Sequence, residues 1–192
     1  YPLRSPVGPG SLACHRGSRV NQDVLIDRRY DVFHRALLVR VRRVDVLDPE
    51  AVRAQIGAVV DDFPVAAVKT GMLANAEIIR AVAAAIDDHG LGPVVEDPVC
   101  VAGSGDPLLE PDALDVLRDE LVPRATVLTP NLLEAALLTG RETAGETDDE
   151  LARTARELLA MGAGAVLLKG GHRRGDADDL FVDPAGSVVL EA

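Results

Sequence analysis

Ala125-Thr126-Val127-Leu128-Thr129-Pro130-Asn131-Leu132-Leu133-Glu134 is the stretch whose reading decides the fold. Residues 126–129, Thr-Val-Leu-Thr, are mostly β-branched, as suits a strand. Pro130 cannot donate to a strand ladder and ends the run. Asn131 then stands at a helix N-cap position, ahead of an apolar helix over 132–139. The same plan recurs on either side of this stretch. Upstream, Val94-Val95-Glu96-Asp97-Pro98 is an apolar run closing on acids; downstream, Ala165-Val166-Leu167-Leu168-Lys169-Gly170-Gly171 closes on a lysine and glycines.

Between these strands the period switches to that of helices. Asp48 caps a helix over 49–61 with Pro49 at its first position. A short buried strand is expected over 66–70. Asn75 caps a helix to about His89, with Ile78, Ile79, Val82, Ala85 and Ile86 at helical spacing and Gly90 as its stop. Further elements are a strand over 93–97, a helix over 111–121, a helix from a Thr147 or Asp148 cap to Met161, and a strand over 163–169. Two short runs, 179–182 and 187–190, read as a hairpin around Asp183-Pro184-Ala185-Gly186. Near-continuous apolar strands alternating with helices predict an α/β domain, its mostly parallel sheet covered by helices on both faces. Such a sheet binds its ligand beyond the carboxyl ends of the strands, where the polar clusters fall.

Length and charge narrow the function. The 192 residues suit one domain, and a formal net charge of −11 argues against nucleic acid as a partner. That total hides an asymmetry, because residues 1–43 hold nine arginines and three acids. This arm lacks a sustained apolar period, and its longest apolar run is Ala36-Leu37-Leu38-Val39. It reads as an aberrant, poorly structured basic arm ahead of a domain over 44–192. Two cysteines, Cys14 and Cys100, make neither a disulfide framework nor a zinc pair. Tyr1–Val20 lacks the apolar core of a signal peptide, and no run approaches the ~20 apolar residues of a membrane span. A cytoplasmic protein with no membrane partner is expected. Only two residues are lysine against 18 arginines, and both, Lys69 and Lys169, end an apolar run just before a glycine turn. Those two places favour a compact, mobile ammonium.

The clusters at the strand ends carry the chemistry. Asp97 reads either as a turn-initiating acid before proline or as a ligand of Mg²⁺. Glu96, pointing the other way on an extended chain, is expected to meet solvent or an arginine. Glu134 is open to two readings, an ordinary capping box with Asn131 or an acid serving a metal–phosphate group. Beside Asp97 and Lys169, the second reading points to a nucleotide-dependent kinase site. Lys169 with Gly170 offers an ammonium and a closely approaching backbone to phosphate. His172 reads as a loop residue, and Gly162-Ala163-Gly164 as a turn rather than a phosphate cradle, since a strand follows it. Gly71 and Met72 suit one wall of a flat heterocycle pocket, against a rival reading of Met72 and Leu73 as core. Residues 101–106 read as a lid or a plain connection, and Cys100 as a small apolar filler.

Four segments, VKTGML (Val68 to Leu73), EDPVCVAGSGDPLL (Glu96 to Leu109), VLTPNLLEA (Val127 to Ala135) and VLLKGGH (Val166 to His172), resemble the hydroxymethylpyrimidine/phosphomethylpyrimidine kinases of the ribokinase-like superfamily. They stand in family order from about Asp48 onward. The resemblance implies a ribokinase-like fold, truncated here, and phosphorylation of hydroxymethylpyrimidine and then its monophosphate in thiamine biosynthesis, using ATP and Mg²⁺. It implies a pyrimidine pocket at Gly71 and Met72, Asp97 and Glu134 in the Mg²⁺–phosphate region with Thr129 and Asn131 beside them, and Lys169 with Gly170 near the phosphates of ATP. A homodimer is also implied. The family more often carries Val where Glu96 stands and Lys where Gly103 stands. Its opening glycine loop and closing anion-hole segment, which holds the catalytic base, are not found in this text. A partial domain over 44–192 with impaired catalysis is therefore expected, the arm arising from a reading-frame disruption or gene-boundary error. Two rival readings are a pyridoxal/pyridoxine kinase of the same fold and a non-catalytic nucleotide-binding module.

Overall fold

A computed structural model describes residues 44–101, 107–170 and 178–191. The basic arm, the loop residues with Gly103, and the segment with Gly171 and His172 lie outside the described residues. Six strands form one sheet in the order β1 (Val68–Lys69), β2 (Val94–Glu96), β3 (Val127–Leu128), β4 (Val166–Leu168), β5 (Asp179–Asp183) and β6 (Gly186–Leu190). The first four run parallel, and the last two form the expected antiparallel hairpin, with Val166 opposite Val182 across the β4–β5 seam.

Local chemistry sets the helix boundaries. In α1 (Pro49–Asp62), Asp48 Oδ1 accepts from Glu50 N at 2.8 Å and Ala51 N at 3.3 Å, satisfying N–H groups that have no partner within the helix. α2 (Ala76–His89) starts on Asn75 and stops at Gly90, whose φ of 58° is the left-handed value glycine adopts without strain. α4 (Leu132–Thr139) begins at Asn131, and α5 (Asp148–Ala160) at Thr147, which resolves the choice between Thr147 and Asp148. The helix expected over 111–121 is less regular. It is α-helical only at α3 (Ala113–Val116), then widens into a π turn over Leu117–Leu121 and closes in a 3-10 turn at Val122–Arg124. Gly162 and Gly164 make a turn, as expected. A Cβ on Gly164 would lie 2.8 Å from the Thr126 carbonyl oxygen, so the chains approach too closely for a side chain.

One contiguous core holds Ile79 and Ile86 of α2, Leu117 and Leu121, Leu138 of α4, and Leu151 and Leu158 of α5. The strands contribute Val94, Leu128, Val166, Leu168, Leu180 and Val182 to the same cluster. These strand residues share one face of the pleat. Val95, Val127, Leu167 and Phe181, on the opposite face, are half-buried. Among the described residues the first face is thus sealed and the second half-covered. The β1 expectation changes. Val68 and Lys69 form an edge strand, half-buried and exposed respectively, because β2 is the only strand they pair with among the described residues.

Candidate active site at the sheet rim

Parallel pairing brings the carboxyl ends of β1 to β4 to one rim. Lys69 lies opposite Val95, and Glu96 opposite Leu128. A parallel bridge between Asn131 and Lys169 extends the β3–β4 ladder, with Lys169 N donating to the Pro130 carbonyl at 2.9 Å. By strand alternation Lys69, Asp97, Thr129 and Lys169 fall on the half-covered face. Thr70 and Glu96 fall on the sealed one.

Asp97 is the centre of the cluster. Lys169 Nζ donates to its Oδ1 at 2.8 Å, and Lys69 Nζ to its Oδ2 at 3.0 Å. Burial would raise the pKa of Asp97, but hydrogen bonds and charge from Lys169 and Lys69 outweigh it and hold the carboxyl below its ordinary range. Asp97 is thus ionised and flanked by both lysines of the chain. Lys69 was not among the expected site residues. The signal that marks it is the arginine bias, against which its choice of ammonium stands out.

Glu134 adopts the capping-box arrangement. Its Oε2 accepts from Asn131 N at 2.8 Å, while Asn131 Oδ1 accepts from Glu134 N at 2.9 Å. The side chain is buried, and burial raises its pKa against the opposing pull of the Asn131 amide and the Lys169 charge. The box and the rim are compatible, since Asn131 is paired with Lys169. Thr129 Oγ1 donates to the Glu96 carbonyl at 3.2 Å. Gly170 N donates to Asp179 Oδ1 at 2.8 Å, so that backbone donor is already engaged. Gly71 and Met72 are half-buried in the turn after β1, and Leu73 packs against the core.

Glu96 corrects an expectation. It meets neither solvent nor an arginine but is fully buried on the sealed face, where its Oε2 accepts from Thr70 Oγ1. Its Oε1 has no hydrogen-bond partner. Burial pushes its pKa up to about 7, opposed by the Thr70 hydroxyl and reinforced by the charge of Asp97. Cys100 is the buried filler expected, its thiol pushed up to about 12 by burial and by the nearby Glu134 and Glu96.

The donor set discriminates between kinds of metal site. Among the described residues, no group of three or more His, Cys, Asp or Glu side chains is placed to share an ion. That does not suit an all-protein cage. The ionised carboxylate at the rim, Asp97, has each oxygen accepting from a lysine.

A family model described as phosphomethylpyrimidine kinase matches residues 38–192. A hydroxymethylpyrimidine/phosphomethylpyrimidine kinase of Rhizobium meliloti (strain 1021) is 50% identical over 153 residues, covering 79% of this chain and 57% of the relative. Its counterpart in Bacillus subtilis (strain 168) is 37% identical over 185 residues, covering 91% of this chain and 67% of the relative. The chain thus spans little more than half the length of several relatives it matches. Among solved structures, phosphomethylpyrimidine kinase from Clostridium difficile 630 superposes with a TM-score of 0.72 at 36% identity, covering 79% of this chain and 65% of that one. An ADP complex of Bacillus subtilis pyridoxal kinase gives a TM-score of 0.69 at 35% identity, covering 78% and 55%. The fold is that of these ribokinase-like kinases. No described helix is long and apolar enough to cross a membrane.

Proposed function

Because this chain belongs to the phosphomethylpyrimidine kinase family, we propose that its rim serves ATP-dependent phosphorylation of hydroxymethylpyrimidine and of its monophosphate, a step of thiamine biosynthesis. The observation that carries the reading is the meeting of Lys69, Asp97 and Lys169 at the carboxyl ends of β1, β2 and β4. Lys169 offers its ammonium to the polyphosphate of ATP, beside Thr129 and Asn131, while the missing side chain of Gly170 leaves room for approach. Asp97 would hold Mg²⁺, which when bound neutralises charge on the phosphate oxygens. Glu134 fixes Asn131 at the helix start and places a second acid behind Asp97. Gly71 and Met72 form a wall for the flat pyrimidine.

In the transfer, the bond between the γ-phosphorus and the bridging oxygen of ATP breaks and a new bond forms to the substrate oxygen. ADP departs, and the proton of the first substrate's hydroxyl passes to water. The chain's own contribution is positioning and charge, the two terms that dominate phosphoryl transfer. A cytoplasmic location and a homodimer belong to the same reading, the second checked by sedimentation.

Calorimetric titration with Mg·ATP, followed by isotope transfer to hydroxymethylpyrimidine and to pyridoxal, tests the proposal. Asp97→Ala and Lys169→Gln should each weaken Mg·ATP binding by at least about tenfold, roughly 1.4 kcal/mol. Unchanged affinity in both variants would remove the assignment. The similarity to pyridoxal kinase supports a second reading of the same fold. Preferential transfer to pyridoxal would select it, and nucleotide binding without transfer to either alcohol would select a non-catalytic module.

A further inference from the structure

We propose that Lys69 is the residue that distinguishes a phosphorylated substrate from a neutral one, by binding the phosphomonoester group of the substrate itself. This rests on the function proposed above, in which the same rim takes first an alcohol and then its monophosphate. Those two substrates differ by a dianionic group. A site that accepts both needs a cation on the substrate side of the transferring phosphate, in addition to the one on the nucleotide side.

The geometry supplies two ammonium groups carried on different strands. Both contact Asp97, one on each carboxylate oxygen, from β1 on one side and β4 on the other. Two parallel strands, β2 and β3, stand between β1 and β4 in the sheet. Lys169 is tied into the β3–β4 ladder through its backbone, next to Asn131. Lys69 is two residues from Gly71 and leads directly into the Gly71–Met72 turn. With Gly71 and Met72 as the proposed pyrimidine wall, the β1 side is the substrate side and Lys69 its cation.

Accessibility separates them further. The Lys69 side chain is 62% exposed, against 37% for Lys169 and 21% for Asp97. Its remaining polar contact is the Thr70 carbonyl, at 3.3 Å on the same rim. An ion pair this open exchanges at little cost. An ammonium on a flexible stem suits a phosphate that must be gripped and then released as a diphosphate, where a planar guanidinium would fix one bidentate geometry. This is the physical content of a lysine at this place in an arginine-rich chain.

Calorimetry on the full chain tests the inference, with hydroxymethylpyrimidine, its monophosphate and Mg·ATP titrated separately into the parent, Lys69→Gln and Lys69→Arg. Lys69→Gln should weaken the monophosphate by about tenfold or more, as loss of a charge-assisted contact does, and leave the alcohol within about twofold. Mg·ATP should weaken less in Lys69→Gln than in Lys169→Gln. Lys69→Arg should recover part of the lost affinity, because charge is restored without the compact geometry. Equal weakening of alcohol and monophosphate, or no change in either, would overturn the inference and leave the proposed function standing. Failure of the parent chain to bind either pyrimidine or Mg·ATP would overturn the function itself, and this inference with it.

Discussion

The two faces of the sheet differ sharply although the same short strands build both. On one, Val94, Leu128, Val166 and Leu168 are sealed under the helices. On the other, their immediate neighbours Val95, Val127 and Leu167 are half-buried and lead out to Lys69, Asp97 and Lys169. The contrast teaches that adjacent residues of one strand, chemically almost identical, perform separate tasks because alternation sends them to different surroundings. The pair Glu96 and Asp97 shows it most plainly. One carboxyl is held near neutrality by burial and the other is kept ionised by two ammonium groups, one residue apart.

The largest expected effect tests the sealed face directly. Leu128→Ala should cost about 2–5 kcal/mol in denaturant unfolding, as truncation of a fully buried leucine does. Val127→Ala beside it should cost about 1 kcal/mol or less, since its site is already partly solvated. Equal losses in the two variants would erase the distinction between the faces.

Acidity gives a second test, somewhat smaller. Glu96 in the folded chain keeps its proton to about pH 7, against an ordinary 4.5. Between those values the folded state binds more proton than the unfolded one, so stability falls as pH rises. The contribution is fully present below the unfolded value and is lost as pH passes through 7, a change of roughly 3 kcal/mol. Glu96→Val should flatten that slope and be the more stable chain at pH 8. A parent stability curve that rises between pH 5 and 8, with the variant parallel to it, would refute the burial of this carboxyl.

At the rim, Asn131→Ala removes a helix cap and should cost ~1 kcal/mol. It takes the Oδ1 acceptor from the Glu134 N–H while the bond from the residue 131 N–H to Glu134 Oε2 can remain, so Mg·ATP affinity should fall with stability if α4 positions the site. Loss of stability with unchanged affinity would confine Asn131 to the cap. The smallest effect belongs to the outer hairpin, where Val188, 57% exposed, should tolerate alanine within about 0.5 kcal/mol. A larger cost there would mean that β6 is covered in solution.

Much of this arrangement is legible in the chain. The caps at Asp48, Asn75, Asn131 and Thr147, the stop at Gly90, the hairpin and the parallel core strands all follow from local chemistry, and the structure has each. Asp97 and Lys169 can be placed at the carboxyl ends of strands from the same pattern. The partner of Lys69 cannot, because it depends on which strands become neighbours, and Asp97 lies 28 positions along the chain. The irregular run from Ala113 to Arg124 escapes a periodic reading as well, since its helical pattern continues while the backbone widens and tightens.

The sequence by itself determined where each element starts and stops and which strand ends carry charge, because caps, glycine stops and proline breaks act within a few residues. Only the tertiary structure decided that Glu96 is entombed, that β1 lies at an edge, and that the two lysines share one carboxylate. Those outcomes depend on strand order and on the side of the pleat, which distant segments settle together by packing.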